Sequence, residues 1–92
     1  MPTLMTFFGS KAQTKLIKYL LENRGKVFNQ AGLARHLNLS PSTIARVLTP
    51  LIEKNVIRYE QVSGQMKIIA LNEEEEATRI LIQFYEKLKT LP

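Results

Sequence analysis

Four side chains with hydrogen-bonding heads recur at helical spacing in mid-chain: Ser42, Arg46, Thr49 and Glu53. At 100° per residue they share one face, while Ile44, Val47, Leu48 and Leu51 share the opposite one. An arginine fork donates paired hydrogen bonds to planar acceptors, and hydroxyls beside it donate to anionic oxygens. That is recognition chemistry, not reaction chemistry. The chain has one histidine, His36, with no carboxylate or nucleophile at a recognisable spacing, and no phosphate-cradling glycine loop. It has no cysteine, so disulfides, thiolate metal sites and thiol redox sensing are excluded. An enzyme is not expected, nor is a cofactor or a bound metal.

The charge distribution indicates what such a face would meet. Net charge is +5. Residues 1–71 hold ten Lys or Arg against Glu22, Glu53 and Glu60, a net of +7. Residues 72–92 hold three basic residues against five glutamates, a net of −2. The basic part contains the Ser42–Arg46–Thr49 face, and a basic face favours a polyanion such as nucleic acid, a merely solvated basic surface being the alternative on charge alone.

Ninety-two residues make one domain with room for a core, small enough that association would stabilise it. A hydrophobic content of 45% argues against disorder. No apolar run approaches the ~20 residues of a membrane span, so no membrane partner is expected. The opening MPTLMTFF lacks a basic leader and is too short for a signal peptide's apolar region, which predicts a cytoplasmic protein.

The positioning elements follow from capping and periodicity. A first helix starts at Ser10, whose hydroxyl can cap while Gln13 reaches back, and stops at Gly25. Its apolar residues Ala12, Leu16, Ile17, Tyr19, Leu20 and Leu21 cover an arc wide enough to be touched from two sides. Lys26-Val27-Phe28 is a β-prone stub. A second helix, about 30–37, is capped by Asn29 and buries Leu33, Ala34 and Leu37. Asn38 sits where the turn wants a positive φ, and Leu39 plugs that turn. A third helix, about 41–54, starts at Ser40-Pro41, is expected to bend at Pro50, and stops at Asn55. Two β-prone runs, Ile57–Val62 and Gln65–Leu71, flank Ser63-Gly64 and form a hairpin with Ile57, Tyr59, Met66, Ile68 and Leu71 as its apolar residues. Asn72 caps a last helix, about 73–90, with Glu73–Glu76 in its positive first turn. Ala77, Leu81, Phe84, Tyr85, Leu88 and Leu91 form its stripe, widened by Ile80 and Ile82.

A short helix, a tight turn, a longer helix and then a hairpin is the order in which a helix-turn-helix with a wing presents one helix to the major groove of DNA. The chain also resembles the winged helix-turn-helix transcription regulators of prokaryotes, in the MarR-like and ArsR-like group. The residues that carry the likeness are LARHLNLSPSTIARVLTPLIEKNVI, with a wing closing on IIALN. The opening FFGSKAQTKLIKYLLENRGKVF is similar to small archaeal-type members. The resemblance implies a dimeric DNA-binding repressor or activator, with the third helix in the major groove and the wing over the backbone or minor groove. The wing here, VSGQMK, is short and carries Lys67 near its tip. Metal sensing, found in some ArsR-like proteins, does not transfer to a chain with one His and no Cys.

The expected fold is therefore mainly α with a small β-hairpin (α+β): a winged helix-turn-helix over 1–92, with a three-helix core, a wing at about 57–71 and a C-terminal dimerisation helix. The expected partner is double-stranded DNA. Arg46 is the leading candidate for reading a guanine edge, a phosphate contact or plain exposure being the alternatives. Ser42, Thr43 and Thr49 flank it, although Ser42 could equally serve the helix start. Lys26, Arg35, His36, Lys54, Arg58 and Lys67 are candidate phosphate partners, and Gln65 at the wing tip could reach a groove edge. The surplus apolar side chains, Leu4, Phe7, Phe8, Ile80, Leu81, Phe84, Tyr85 and Leu88, predict a homodimer interface. A winged-helix module that docks a protein instead of DNA is the alternative; the polar face of the third helix argues against it. No residue argues for a small-molecule effector.

Overall fold

The computed structural model describes residues 10–64 and 66–92. Leu4, Phe7, Phe8 and Gln65 lie outside the described residues. The elements in chain order are α1 (Lys11–Glu22), α2 (Gln30–Leu37), α3 (Pro41–Glu53), β1 (Ile57–Ser63), β2 (Met66–Leu71) and α4 (Glu76–Lys89).

Local chemistry explains most of the boundaries. Ser10 Oγ accepts from the Gln13 amide at 3.2 Å and starts α1. The Gln13 side chain does not reach back; it extends to the Val47 carbonyl of α3 at 3.5 Å. Asn29 Oδ1 accepts from Gly32 N and starts α2, and Ser40 Oγ accepts from Thr43 N at 3.1 Å to start α3. Asn38 and Asn55 take φ of 55° and 61°, the left-handed stops that asparagine tolerates. α3 runs through Pro50 to Glu53. Pro50 and Arg46 are both exposed, so the Arg46 carbonyl deprived of its N–H partner lies on the solvent side of the helix.

β1 and β2 pair antiparallel with Ile57 opposite Leu71 and Tyr59 opposite Ile69; the register slips between Gln61 and Ser63. The turn sits at Gly64, φ +50°, one residue later than expected. The β-prone stub contributes a single residue: Phe28 exchanges both backbone hydrogen bonds with Ile69, at 2.8 and 2.7 Å. Ile69, not Ile68, is therefore the hairpin's core residue, because the pleat puts it on the face of Ile57 and Tyr59.

Two apolar clusters share α1. Leu16 and Leu20 point into the larger one with Leu33, Ala34, Leu37, Ile44, Val47, Leu48, Ile57 and Ile69. Ile17 and Leu21 face the smaller one with Ile82, Tyr85 and Leu88 of α4. The broad apolar arc of α1 thus serves two neighbours.

The start of α4 differs from expectation. Glu75 occupies the cap position without a side-chain bond, and the helix begins at Glu76. Asn72 instead ties down the approach: its Nδ2 donates to the Asn55 carbonyl at 3.0 Å and its Oδ1 accepts from Glu74 N at 3.3 Å. The inner face of α4 is Thr78, Ile82, Tyr85 and Leu88, rotated from the predicted stripe. Two polar residues cause the rotation. Thr78 is fully buried and donates to the Val56 carbonyl at 3.4 Å, and the Tyr85 hydroxyl donates to Glu22 Oε2 at 2.9 Å.

Candidate nucleic-acid interface

The outward face of α3 is assembled by the core behind it. With Ile44, Val47 and Leu48 buried, helical geometry turns Ser42, Arg46 and Thr49 to solvent, and all three are exposed. Seven steps of 1.5 Å rise spread them over about 10 Å of helix. Arg46 lies midway and has no hydrogen bond or ion pair among the described residues. Its five donors are free. Thr49 Oγ1 donates to the Ala45 carbonyl at 2.9 Å, which leaves its methyl as the group presented outward. Thr43 is half-buried and its Oγ1 accepts from Ser40 Oγ at 2.8 Å; Ser42 Oγ lies 3.2 Å from the same Ser40 Oγ. Both hydroxyls belong to the N-terminal cap network of α3, and only Ser42 is also exposed.

The other basic candidates occupy different surroundings. Arg35 and His36 stand exposed in the last turn of α2. His36 stacks on Tyr19 with centroids 5.6 Å apart, and Tyr19 packs on Phe28 at 5.3 Å, so the imidazole is held in an aromatic row. Lys54 caps the end of α3 and is exposed. On the hairpin, Arg58 Nε lies 3.6 Å from Glu60 Oε1, while Lys67 Nζ sits 5.3 Å over the Tyr59 ring. Strand alternation puts Arg58 and Glu60 on one face, and Tyr59 and Lys67 on the other. The two basic residues of the wing are therefore not brought together. The wing tip is closed by Gln61, whose amide donates to the Gly64 carbonyl.

Sequence reasoning missed one basic residue at the turn between α2 and α3. Lys15 of α1 donates from Nζ to the Leu37 carbonyl, the last of α2, at 2.8 Å. The only cue was a lysine at helical spacing, which is equally the pattern of a solvated surface. Of the residues expected at a dimer interface, Tyr85 and Leu88 are buried in the chain's own smaller cluster, because α4 is rotated to satisfy Thr78 and Tyr85. Leu81 and Phe84 are half-buried at its margin, and Ile80 is 58% exposed.

Residues 10–58 match the family described as winged helix-turn-helix DNA-binding. The chain belongs to that family. Solved structures share the fold at low identity. A possible transcriptional regulator from Methanosarcina mazei aligns with a TM-score of 0.67 and 22% identity over 85% of this chain and 68% of that one. MepR, a transcription regulator of the Staphylococcus aureus multidrug efflux pump MepA, gives 0.63 and 21% over 97% and 70%. A protein from Archaeoglobus fulgidus gives 0.67 and 21% over 94% and 92%. No curated protein matches the sequence. The winged helix-turn-helix assignment, with four helices and a two-stranded hairpin, is the one expected from the residues. No described helix is long and apolar enough to cross a membrane, and the described residues hold no group of three or more potential metal ligands.

Proposed function

We propose that this protein is a cytoplasmic, sequence-specific transcriptional regulator that binds double-stranded DNA as a homodimer and catalyses no reaction. One observation carries the reading. Within a DNA-binding fold, the third helix leaves Arg46 exposed and without a partner among the described residues, at the centre of a polar face. A free guanidinium in that place suits the O6 and N7 acceptors of a guanine, with the Thr49 methyl available to a thymine and Ser42 to a phosphate. Arg35, Lys54, Arg58 and Lys67 add positive charge around α3 and on the wing, fitting phosphates that fix orientation without reading sequence. Because Arg58 and Lys67 face opposite ways, the short wing suits one phosphate contact better than deep insertion into the minor groove.

The outer side of α4 supports the dimer. Ile80 is 58% exposed beside half-buried Leu81 in the first half of α4, and Leu91, just past its end, is 46% exposed; these apolar side chains are ones a second copy would cover. A two-fold dimer would read a pseudo-palindrome with half-sites about 34 Å apart.

The test is fluorescence anisotropy with a pool of random-sequence duplexes, for wild type and Arg46→Ala, over a salt series. Salt-sensitive binding with a subset of sequences enriched by wild type, and that enrichment lost in Arg46→Ala, is the expected result. Absence of binding even at low salt would overturn the regulator reading in favour of a protein-docking module.

A further inference from the structure

Lys11, Lys15 and Lys18 form a row along the solvent-facing stripe of α1, and by charge alone they would read as one basic track. The structure separates them. Lys15 Nζ is bonded to the Leu37 carbonyl across 22 positions of sequence, whereas Lys18 makes no hydrogen bond or ion pair among the described residues.

The acceptor is one of the end carbonyls that a helix leaves open. Leu37 is the last residue of α2, and the final four carbonyls of a helix have no N–H within it to take them. Asn38 N and Leu39 N are engaged elsewhere, with Arg35 and Ala34 carbonyls at 3.3 and 3.0 Å. Leu37 O also lies at the negative end of the α2 dipole, where a cation is stabilised. The ammonium of Lys15 meets both demands. Immediately beyond it come the left-handed Asn38, the half-buried Leu39 and the cap residue Ser40, the three residues that set the direction of α3.

We propose that Lys15 is a positioning residue for DNA recognition: by holding the Leu37 carbonyl it ties α1 to the α2–α3 turn and fixes the angle at which α3 is presented, in place of contacting phosphate itself. The proposal rests on the DNA-binding reading above.

The experiment uses the full chain as wild type, Lys15→Met, Lys15→Arg and Lys18→Met. Amide hydrogen exchange at Asn38 and Leu39 is measured without DNA, and binding to the preferred duplex and to random duplexes is measured over a salt series. Lys15→Met should speed exchange at Leu39 roughly five-fold, the scale of one lost hydrogen bond. It should weaken the preferred duplex more than the random pool and leave the salt slope unchanged, and Lys15→Arg should restore both readouts. Lys18→Met, which removes the same charge, should leave the turn's exchange at the wild-type rate.

A salt slope lowered by about one unit with unaltered exchange would mark Lys15 as a phosphate contact and overturn the proposal. So would a Lys15→Met protein indistinguishable from Lys18→Met. If wild type binds no duplex, the recognition half falls together with the DNA-binding reading. The exchange rates, taken without DNA, still decide whether Lys15 holds the turn.

Discussion

α3 and α4 are both amphipathic helices of similar length, yet they leave opposite chemistry outside. α3 buries Ile44, Val47 and Leu48 and exposes Ser42, Arg46 and Thr49. α4 buries Thr78, Ile82, Tyr85 and Leu88 and exposes Ile80. In α3 the apolar residues are used up by the domain core, so the outer face is free to recognise a polar partner. In α4 polar Thr78 and Tyr85 occupy inner positions, which pushes an isoleucine outward. The difference teaches that the inner face of each helix decides what its outer face can bind.

The largest expected effect lies in the shared inner logic. Ile44 is fully buried, and Ile44→Ala should cost about 2–5 kcal/mol, read as a lower urea midpoint with an unchanged slope. An equal loss on truncating Ile80 would break the comparison, since Ile80 should contribute little to the isolated domain.

The outer faces come next and should separate cleanly. Arg46→Ala is expected to lose about 1–3 kcal/mol of discrimination between preferred and random duplexes while the thermal midpoint stays in place. Ile80→Glu should do the converse at the protein level. Sedimentation should show the monomer–dimer equilibrium shifted at least about ten-fold towards monomer, because a carboxylate in an apolar interface is left unsolvated. A dimer unchanged by Ile80→Glu would remove α4 from the interface.

The smallest effect concerns the Tyr85–Glu22 bond that rotates α4. Tyr85→Phe should cost about 1 kcal/mol at neutral pH. Burial, reinforced by the bond to Glu22, pushes the Tyr85 phenol up to about 12 from its ordinary 10.0. A pKa raised on folding stabilises the neutral phenol fully below about 10, and that contribution is lost as pH rises towards 12. Denaturation titrations between these limits should show wild type losing more stability than Tyr85→Phe. Parallel curves would show that the phenol does not titrate with unfolding.

Legibility in the sequence followed the range of the interaction. Asn29, Asn38, Ser40-Pro41 and Asn55 act on backbone within a few residues, so their roles as caps and stops could be read directly. The polar face around Arg46 was legible for the same reason, since it is set by helical period alone. Asn72 does not cap α4 because its Oδ1 accepts from Glu74 N in the turn before the helix, while its N and Nδ2 are held by the Val56 and Asn55 carbonyls, 16 and 17 positions earlier in the chain. Ile69 was passed over for Ile68 because an apolar run of Ile68, Ile69 and Ala70 gives no alternation; only pairing with Phe28 and Tyr59 selects the inward residue.

By itself the sequence determined the number and order of the helices, the N-caps of the first three, the hairpin and the polar face of α3, because each depends on neighbours within a turn or a pleat. The tertiary structure alone decided that Tyr85 and Leu88 turn inward, that Arg58 and Lys67 face apart, and that Lys15 spends its charge on Leu37. The rotation of α4 and the Lys15 bond depend on polar atoms finding partners far along the chain, and the facing of Arg58 and Lys67 depends on cross-strand register; no local pattern encodes which distant group will be within reach.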